Sequence, residues 1–283
     1  MPDSRDSLHD FAQQYGPRAL ITGASEGTGA AFARQIAAQG IDLVLLARRP
    51  DPLRTLAEEI ESTSAVQVRT VAADLTSPTL LDDIADATDG LDIGLLIHNA
   101  GASVGNGLFA GRPPGDALHL LDLNCRSAVT LAHHYGRLMI DRGRGGIVLM
   151  TSLASAAGNG YNAAYSASKA FERVLAEALW VEYGQAGVDV LGVVAGLTDT
   201  PAARREGLVR PDGSGLGGFT PMRSDDVVRE ALAALGNGSP LHTPGEANRA
   251  AAQAMWPVPR RDLVMTMTDS NADLYGFDRL TAP

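Results

Sequence analysis

At 283 residues, 45% of them hydrophobic, the chain can bury one large α/β core, and no long polar tract marks a disordered region. Its 23 basic and 33 acidic side chains leave a net charge of −10, which argues against nucleic acid as a partner. The single cysteine, Cys125, excludes an intramolecular disulfide and a cysteine metal site. Met1–Tyr15 lacks a signal-type apolar run, and no stretch of about 18 uninterrupted apolar residues occurs, so a cytoplasmic protein without membrane contact is expected.

In chain order, Arg18–Thr22 is a short apolar strand that breaks into Gly-Ala-Ser-Glu-Gly-Thr-Gly, followed by helical composition over Ala30–Gln39. Strand patterns recur at Ile41–Ala47, Val66–Ala73, Ile93–His98, Gly146–Thr151 and Val188–Val194. Helical stretches lie between them at Leu53–Ser62, Leu80–Thr88, Asp116–Arg142 and Asn162–Tyr183. Alternation at this rhythm predicts βαβ units and a doubly wound parallel sheet, a Rossmann fold, in a single domain. Residues 202–222 carry five glycines and two prolines and read as a loop that could cover a substrate. Val227–Leu235 and Ala247–Trp256 read as helices, and Leu241–Thr243 as a short last strand. The expected division is an N-terminal extension over 1–17, a nucleotide-binding and catalytic domain over 18–245, and a helical tail over 246–283.

Two local patterns carry chemistry. In Thr22–Gly29, glycines at 23, 27 and 29 allow a sharp turn and close approach of the backbone to a pyrophosphate. The following helix would present free N–H groups, so Gly23, Ser25, Glu26, Gly27, Thr28 and Gly29 are the expected phosphate cradle. The second pattern is Tyr165-Ser166-Ala167-Ser168-Lys169. On a helix, residues four apart share a face, which points the Tyr165 phenol and the Lys169 ammonium the same way. A free tyrosine, with a pKa of about 10, is a poor base near neutrality, and a neighbouring cation pulls it towards the working range. Lys169 is the only lysine among the 23 basic residues. The bland alternative for this pair is a solvated helix face.

Taken together and in order, TGxxxGxG at Thr22–Gly29, Asp74-Leu75, Asn99-Ala100-Gly101, Asn124, Ser152, Tyr165 and Lys169 resemble the short-chain dehydrogenase/reductase family over about 18–200. The resemblance returns faintly at Thr243-Pro244-Gly245. It implies Tyr165 as acid/base, with Lys169 lowering its pKa and bonding the nicotinamide ribose. Ser152 would hold the substrate oxygen, and Asn124 would anchor a water of a proton relay. Ser155 competes with Ser152, and only the thirteen-residue spacing to Tyr165 favours the latter. The cofactor set implied by resemblance adds Asp74, Leu75, Asn99, Ala100 and Gly101, with Asp74 accepting from the adenine amino group and Asn99 and Gly101 along the adenosine half. Gly196, Thr198 and Thr200 would bind the carboxamide and pyrophosphate.

At the end of the second strand the chain has Ala47-Arg48-Arg49 and no carboxylate. An acidic residue there would bind a ribose 2′-hydroxyl, whereas arginine accepts a 2′-phosphate, so NADP(H) is favoured over NAD(H). Arg48 is the primary ligand and Arg49 the second. Two departures from the family pattern stand out: His98 replaces the first asparagine of Asn-Asn-Ala-Gly and is expected to cap or pack, and Ala195 replaces a proline before Gly196. His133-His134 lacks partner carboxylates at ligand spacing, so no metal is expected. Leu153, Leu197 and Phe219 are candidates to enclose the substrate, a small ketone, aldehyde or alcohol. A homodimer or homotetramer through 116–142 and 162–183 is the expected assembly. Alternatives are a non-catalytic dinucleotide sensor on the same fold, and epimerisation or dehydration with a retained cofactor.

Overall fold

The computed structural model describes residues 11–101, 106–216 and 219–281. The expected extension 1–17, cover 202–222 and tail 246–283 therefore lie partly outside the described residues.

Seven parallel strands form one sheet: β1 (Arg18–Thr22), β2 (Asp42–Ala47), β3 (Val68–Ala72), β4 (Ile93–His98), β5 (Gly145–Ser152), β6 (Val188–Ala195) and β9 (Leu241–His242), in the order β3-β2-β1-β4-β5-β6-β9. The strand order reverses between β1 and β4. A crevice opens there at the carboxyl ends of the strands, where doubly wound sheets bind ligands.

Successive strand residues serve opposite faces. Ala19, Ile21, Leu43, Leu45, Leu95 and Ile97 join the core under α1 (Gly27–Ala37) and α8 (Ser224–Ala234). Leu20, Val44, Leu46, Leu96, Ile147 and Leu149 join the core on the other face, with Leu131 and Tyr135 of α5 (Ser127–Arg142) and Ala176 of α6 (Ala163–Gly184). Burial on both faces is why these strands read as continuous apolar runs rather than alternating ones. α2 (Pro50–Thr63) and α3 (Leu80–Thr88) complete the crossovers of the first half.

Two expectations need correction. The helix read as continuous over 116–142 is α4 (Pro114–Leu120), a π-helical segment Leu121–Arg126, and α5. One extra residue per turn is invisible to a 3.6-residue pattern, and such insertions concentrate at functional sites. The stretch 202–222 is not simply a loop. It begins inside α7 (Pro201–Arg205) and ends on β8 (Met222–Arg223), which pairs in parallel with β7 (Thr198–Asp199). The tail, expected to be helical, holds α9 (Glu246–Met255) and α10 (Arg260–Tyr275).

Candidate active site

The phosphate loop begins where β1 ends. Gly23 and Gly27 adopt φ of +64° and +56°, which L side chains seldom take. A Cβ on Gly29 would lie 2.1 Å from the Gly23 carbonyl oxygen, so the loop can close only around glycine. Glu26 precedes α1 in an extended conformation and no side chain caps the helix, which leaves first-turn N–H groups for an anion. From β4, Asn99 Nδ2 donates to the carbonyls of Thr22 and Gly23, each at 3.2 Å. Thr22 Oγ1 accepts from the N–H groups of Asn99 and Ala100. Asn99 thus pins the glycine loop to the neighbouring strand end.

The expected adenosine side gathers at the ends of β2 and β3. Arg48 is exposed and makes no ion pair among the described residues, whereas Arg49 donates to Glu26 Oε2 at 2.9 Å. Arg205 of α7 also pairs with Glu26, so the carboxylate ties the phosphate loop to the segment after β7. Arg205, with Arg49 in support, holds the Glu26 carboxyl below the usual carboxylate range against the opposing effect of burial. Asp74 Oδ1 accepts from the backbone and hydroxyl of Thr76, which hold Asp74 low as well, and Oδ2 is left for a further donor. Leu75 beside it is buried.

Gly101 lies beside the Tyr/Lys pair: a Cβ there would lie 2.8 Å from Lys169 Nζ and 3.4 Å from Asn124 Oδ1. Thr200 caps α7, its Oγ1 accepting from Ala203 N, and its methyl packs where a Gly27 Cβ would fall. Thr198 Oγ1 donates to the Gly196 carbonyl. Gly196 lies under the Asn248 side chain, which steadies a turn that lacks the family's proline.

On α6, Lys169 Nζ lies 6.0 Å from the centre of the Tyr165 ring. The ammonium is almost fully buried and donates to the Met150 carbonyl at 2.9 Å and to Glu172 Oε2 at 2.7 Å. Burial pulls Lys169 down, but Glu172, aided by Tyr165 and Cys125, outweighs it and the lysine lies above its ordinary value. The π turn carries Asn124 to full burial, with Nδ2 donating to Ser168 Oγ and Oδ1 left without a partner. Ser152 stands at the carboxyl end of β5, partly exposed, its Oγ accepting from Ala154 N. Ser155 is buried, so its hydroxyl is the less accessible of the two.

A cavity of about 550 Å³ opens in front of Tyr165, which forms part of its wall. Phe109, Leu118, Leu120, Leu121 and Tyr161 supply the apolar lining, in place of the expected Leu153, Leu197 and Phe219. The tail shapes this region in a way the sequence did not announce. Asn271 Nδ2 donates to Asn159 Oδ1 and the Gly160 carbonyl, and Gly160 N donates to Thr268 Oγ1. Tyr161, at a φ of +65° that costs on the order of 1–3 kcal/mol, is held by stacking on Phe277 with ring centres 4.5 Å apart. Tyr275 comes near Tyr165 from the same helix; burial first, then Tyr165 and Glu206, push its phenol up to about 12. The apolar residues of α10 are too sparse to have signalled this docking.

A nucleotide cradle, a phenol and an ammonium along one rim of a parallel sheet define a class, the dinucleotide-dependent oxidoreductases. The chain belongs to the short chain dehydrogenase family, whose model matches residues 17–208. It is 31% identical over 227 residues to a 7beta-hydroxysteroid dehydrogenase of Collinsella aerofaciens, covering 80% of this chain and 86% of that one. It is 33% identical over 224 residues to the 17-beta-hydroxysteroid dehydrogenase type 3 of Mus musculus, covering 78% and 70%. A solved structure concerned with 7beta-hydroxysteroid dehydrogenase stereoselectivity superposes with a TM-score of 0.83 at 28% identity, over 91% of this chain and 98% of that one. A short-chain dehydrogenase from Sphingobium yanoikuyae in complex with NADPH gives 0.74 at 30% identity, over 87% and 96%. The chemistry is NAD(P)-dependent redox conversion between a carbonyl and an alcohol on a small-molecule substrate. Among the described residues no helix is long and apolar enough to cross a membrane.

Proposed function

We propose an NADPH-preferring reductase of bulky, largely apolar ketones of the hydroxysteroid kind. The observation that carries this reading is Tyr165 in the wall of an apolar cavity, one helical turn from the chain's only lysine. The volume falls within the roughly 300–1,000 Å³ of small-molecule sites, and the names of the relatives supply the substrate class. When bound, the nicotinamide supplies or takes the hydride. Ser152 donates to the substrate oxygen and fixes it, and Tyr165 delivers the proton to that oxygen. Lys169 stabilises the phenolate that remains and bonds the ribose, while Asn124 Oδ1 accepts from the relay water. The segment from α7 to β8, anchored through Glu26–Arg205, covers the substrate.

Turnover is tested by following nicotinamide absorbance with 7-oxo and 17-oxo steroids against cyclohexanone. We expect kcat/KM for a steroid ketone to exceed that for cyclohexanone by at least roughly tenfold, since each buried methylene contributes to discrimination. Failure with every steroid offered would remove the substrate class.

Glu26 places negative charge on Arg49, the second expected 2′-phosphate ligand. In Glu26→Gln that arginine is released, and NADPH should bind up to roughly fivefold more tightly relative to NADH, in line with the at most about 1 kcal/mol of one exposed charge pair. Parallel titration by nicotinamide fluorescence checks this.

The proposed assembly is a homodimer or homotetramer through α4–α5 and α6. Val129 and Leu138 on α5, and Phe171, Val174 and Val181 on α6, are exposed apolar side chains. Val174→Asp should lower the mass seen by light scattering to that of a smaller species, and an unchanged mass would move the interface elsewhere.

A further inference from the structure

Behind Lys169 lies a buried polar cluster that the expected tetrad does not use. Glu172, one turn along α6, and His98, at the end of β4, are both fully buried. Glu172 Oε2 accepts from Lys169 Nζ, and Glu172 Oε1 faces His98 Nδ1 at 3.4 Å. Neither Oε1 nor Nδ1 has another partner. On its far side His98 Nε2 lies 2.8 Å from Ser127 Oγ.

Proton bookkeeping constrains this cluster. A serine hydroxyl has one proton, and Ser127 donates it to the Leu123 carbonyl at 2.5 Å. Ser127 Oγ must therefore accept, and His98 Nε2 must carry hydrogen. If His98 held no second proton and Glu172 none, two lone pairs would face each other in a site without water access, an arrangement with no hydrogen-bond gain and a desolvation cost. A proton between Nδ1 and Oε1 removes the conflict, whichever of the two it rides on. In either case Lys169, Glu172 and His98 sum to one positive charge.

We propose that Glu172 and His98 are a matched positioning pair for Lys169, in which the glutamate orients the ammonium and the proton shared with His98 preserves the cluster's net charge of plus one. Of the three Nζ protons, Met150 O and Glu172 take two, leaving the third for the open side next to Gly101. A carboxylate this close would by itself cancel the field of Lys169 at Tyr165, and the His98–Glu172 proton restores it. The chain ends on the Leu123 carbonyl rather than at the surface, so it stores a proton and does not conduct one. The other titratable groups facing the cluster are Cys125, from the π segment, and Tyr165 on α6, which Tyr275 in turn approaches with Glu206 near Tyr275.

The role assigned to Tyr165 rests on the reading above, so the test uses the protein without cofactor or substrate and its failure is separable from that of the proposed reaction. The first measurement is the imidazole nitrogen spectrum of isotope-labelled histidine, with His98 assigned by its loss in His98→Asn. Near neutral pH we expect His98 without a bare ring nitrogen; a bare, unbonded Nδ1 would overturn the proposal. The second is the tyrosinate absorbance of Tyr165, taken as the difference from Tyr165→Phe. His98→Asn should move its midpoint up by about one pH unit, because the cluster loses its positive charge. Adding Glu172→Leu should bring the midpoint back, since Lys169 again stands alone. No upward shift in the single variant, or no return in the double, sinks the pairing. Should His98→Asn fail to fold, Glu172→Leu alone decides it: with the shared proton the Tyr165 midpoint stays at the parent value, and a fall in the midpoint overturns the pairing.

Discussion

Tyr165→Phe is expected to bind NADPH within about twofold of the parent chain yet lose roughly 10²–10⁴-fold in kcat/KM, the usual contribution of a positioned general acid. The substitution removes one oxygen from a ring that forms part of an apolar wall, so the cavity keeps its shape. The Met150 and Glu172 contacts hold Lys169 without help from the phenol, so the ammonium remains in place. Stopped-flow binding and steady-state turnover separate the two effects. Retained turnover would mean that another group, Tyr275 among the candidates, delivers the proton. Loss of both binding and turnover would point to a folding defect, visible as a lowered Tm.

Arg48→Ala should raise the Kd for NADPH by roughly 10–100-fold and leave that for NADH almost untouched, matching about 1.5–3 kcal/mol for a hydrogen bond to a charged group. Because Arg48 is exposed and makes no ion pair among the described residues, its removal breaks no salt bridge there and only weakens a long-range attraction to Asp74. Arg49 cannot substitute while Glu26 holds it. The wild-type preference should also shrink as salt is added, since an exposed charge contact is screened over about 8–10 Å. Equal affinity of the parent chain for both nucleotides would reduce Arg48 and Arg49 to loop charges and leave the choice of cofactor to other contacts.

Arg48, Tyr165 and Lys169 are all legible from a few neighbouring residues. Arg48 follows a strand whose apolar run is unmistakable, and its role comes from one local question, whether the strand ends in a carboxylate or a guanidinium. Tyr165 and Lys169 lie within one helical turn, so their mutual placement is a property of the helix. The glycine loop is equally local, and the contacts that a Cβ on Gly29 would meet show why only glycine serves there.

Other features were legible only in part. Gly101 belongs to a motif that could be read, but its place beside Lys169 depends on how far β4 extends relative to α6. The burial of Asn124 depends on the π segment, whose extra residue per turn leaves the apolar pattern of a long helix nearly intact.

What the amino-acid order determined by itself is the alternation of strands and helices, the phosphate loop, the Tyr/Lys turn and the arginine after β2. Each is set by backbone sterics and periodicity within a few residues. What the tertiary structure alone decided is which distant groups meet: α10 on the loop ahead of Tyr165, Arg205 on Glu26, and His98 on the far side of Glu172. Those encounters depend on the register of the sheet and the packing of helices across it, where a shift of a single residue would turn His98 to the opposite face and leave Glu172 with Lys169 alone.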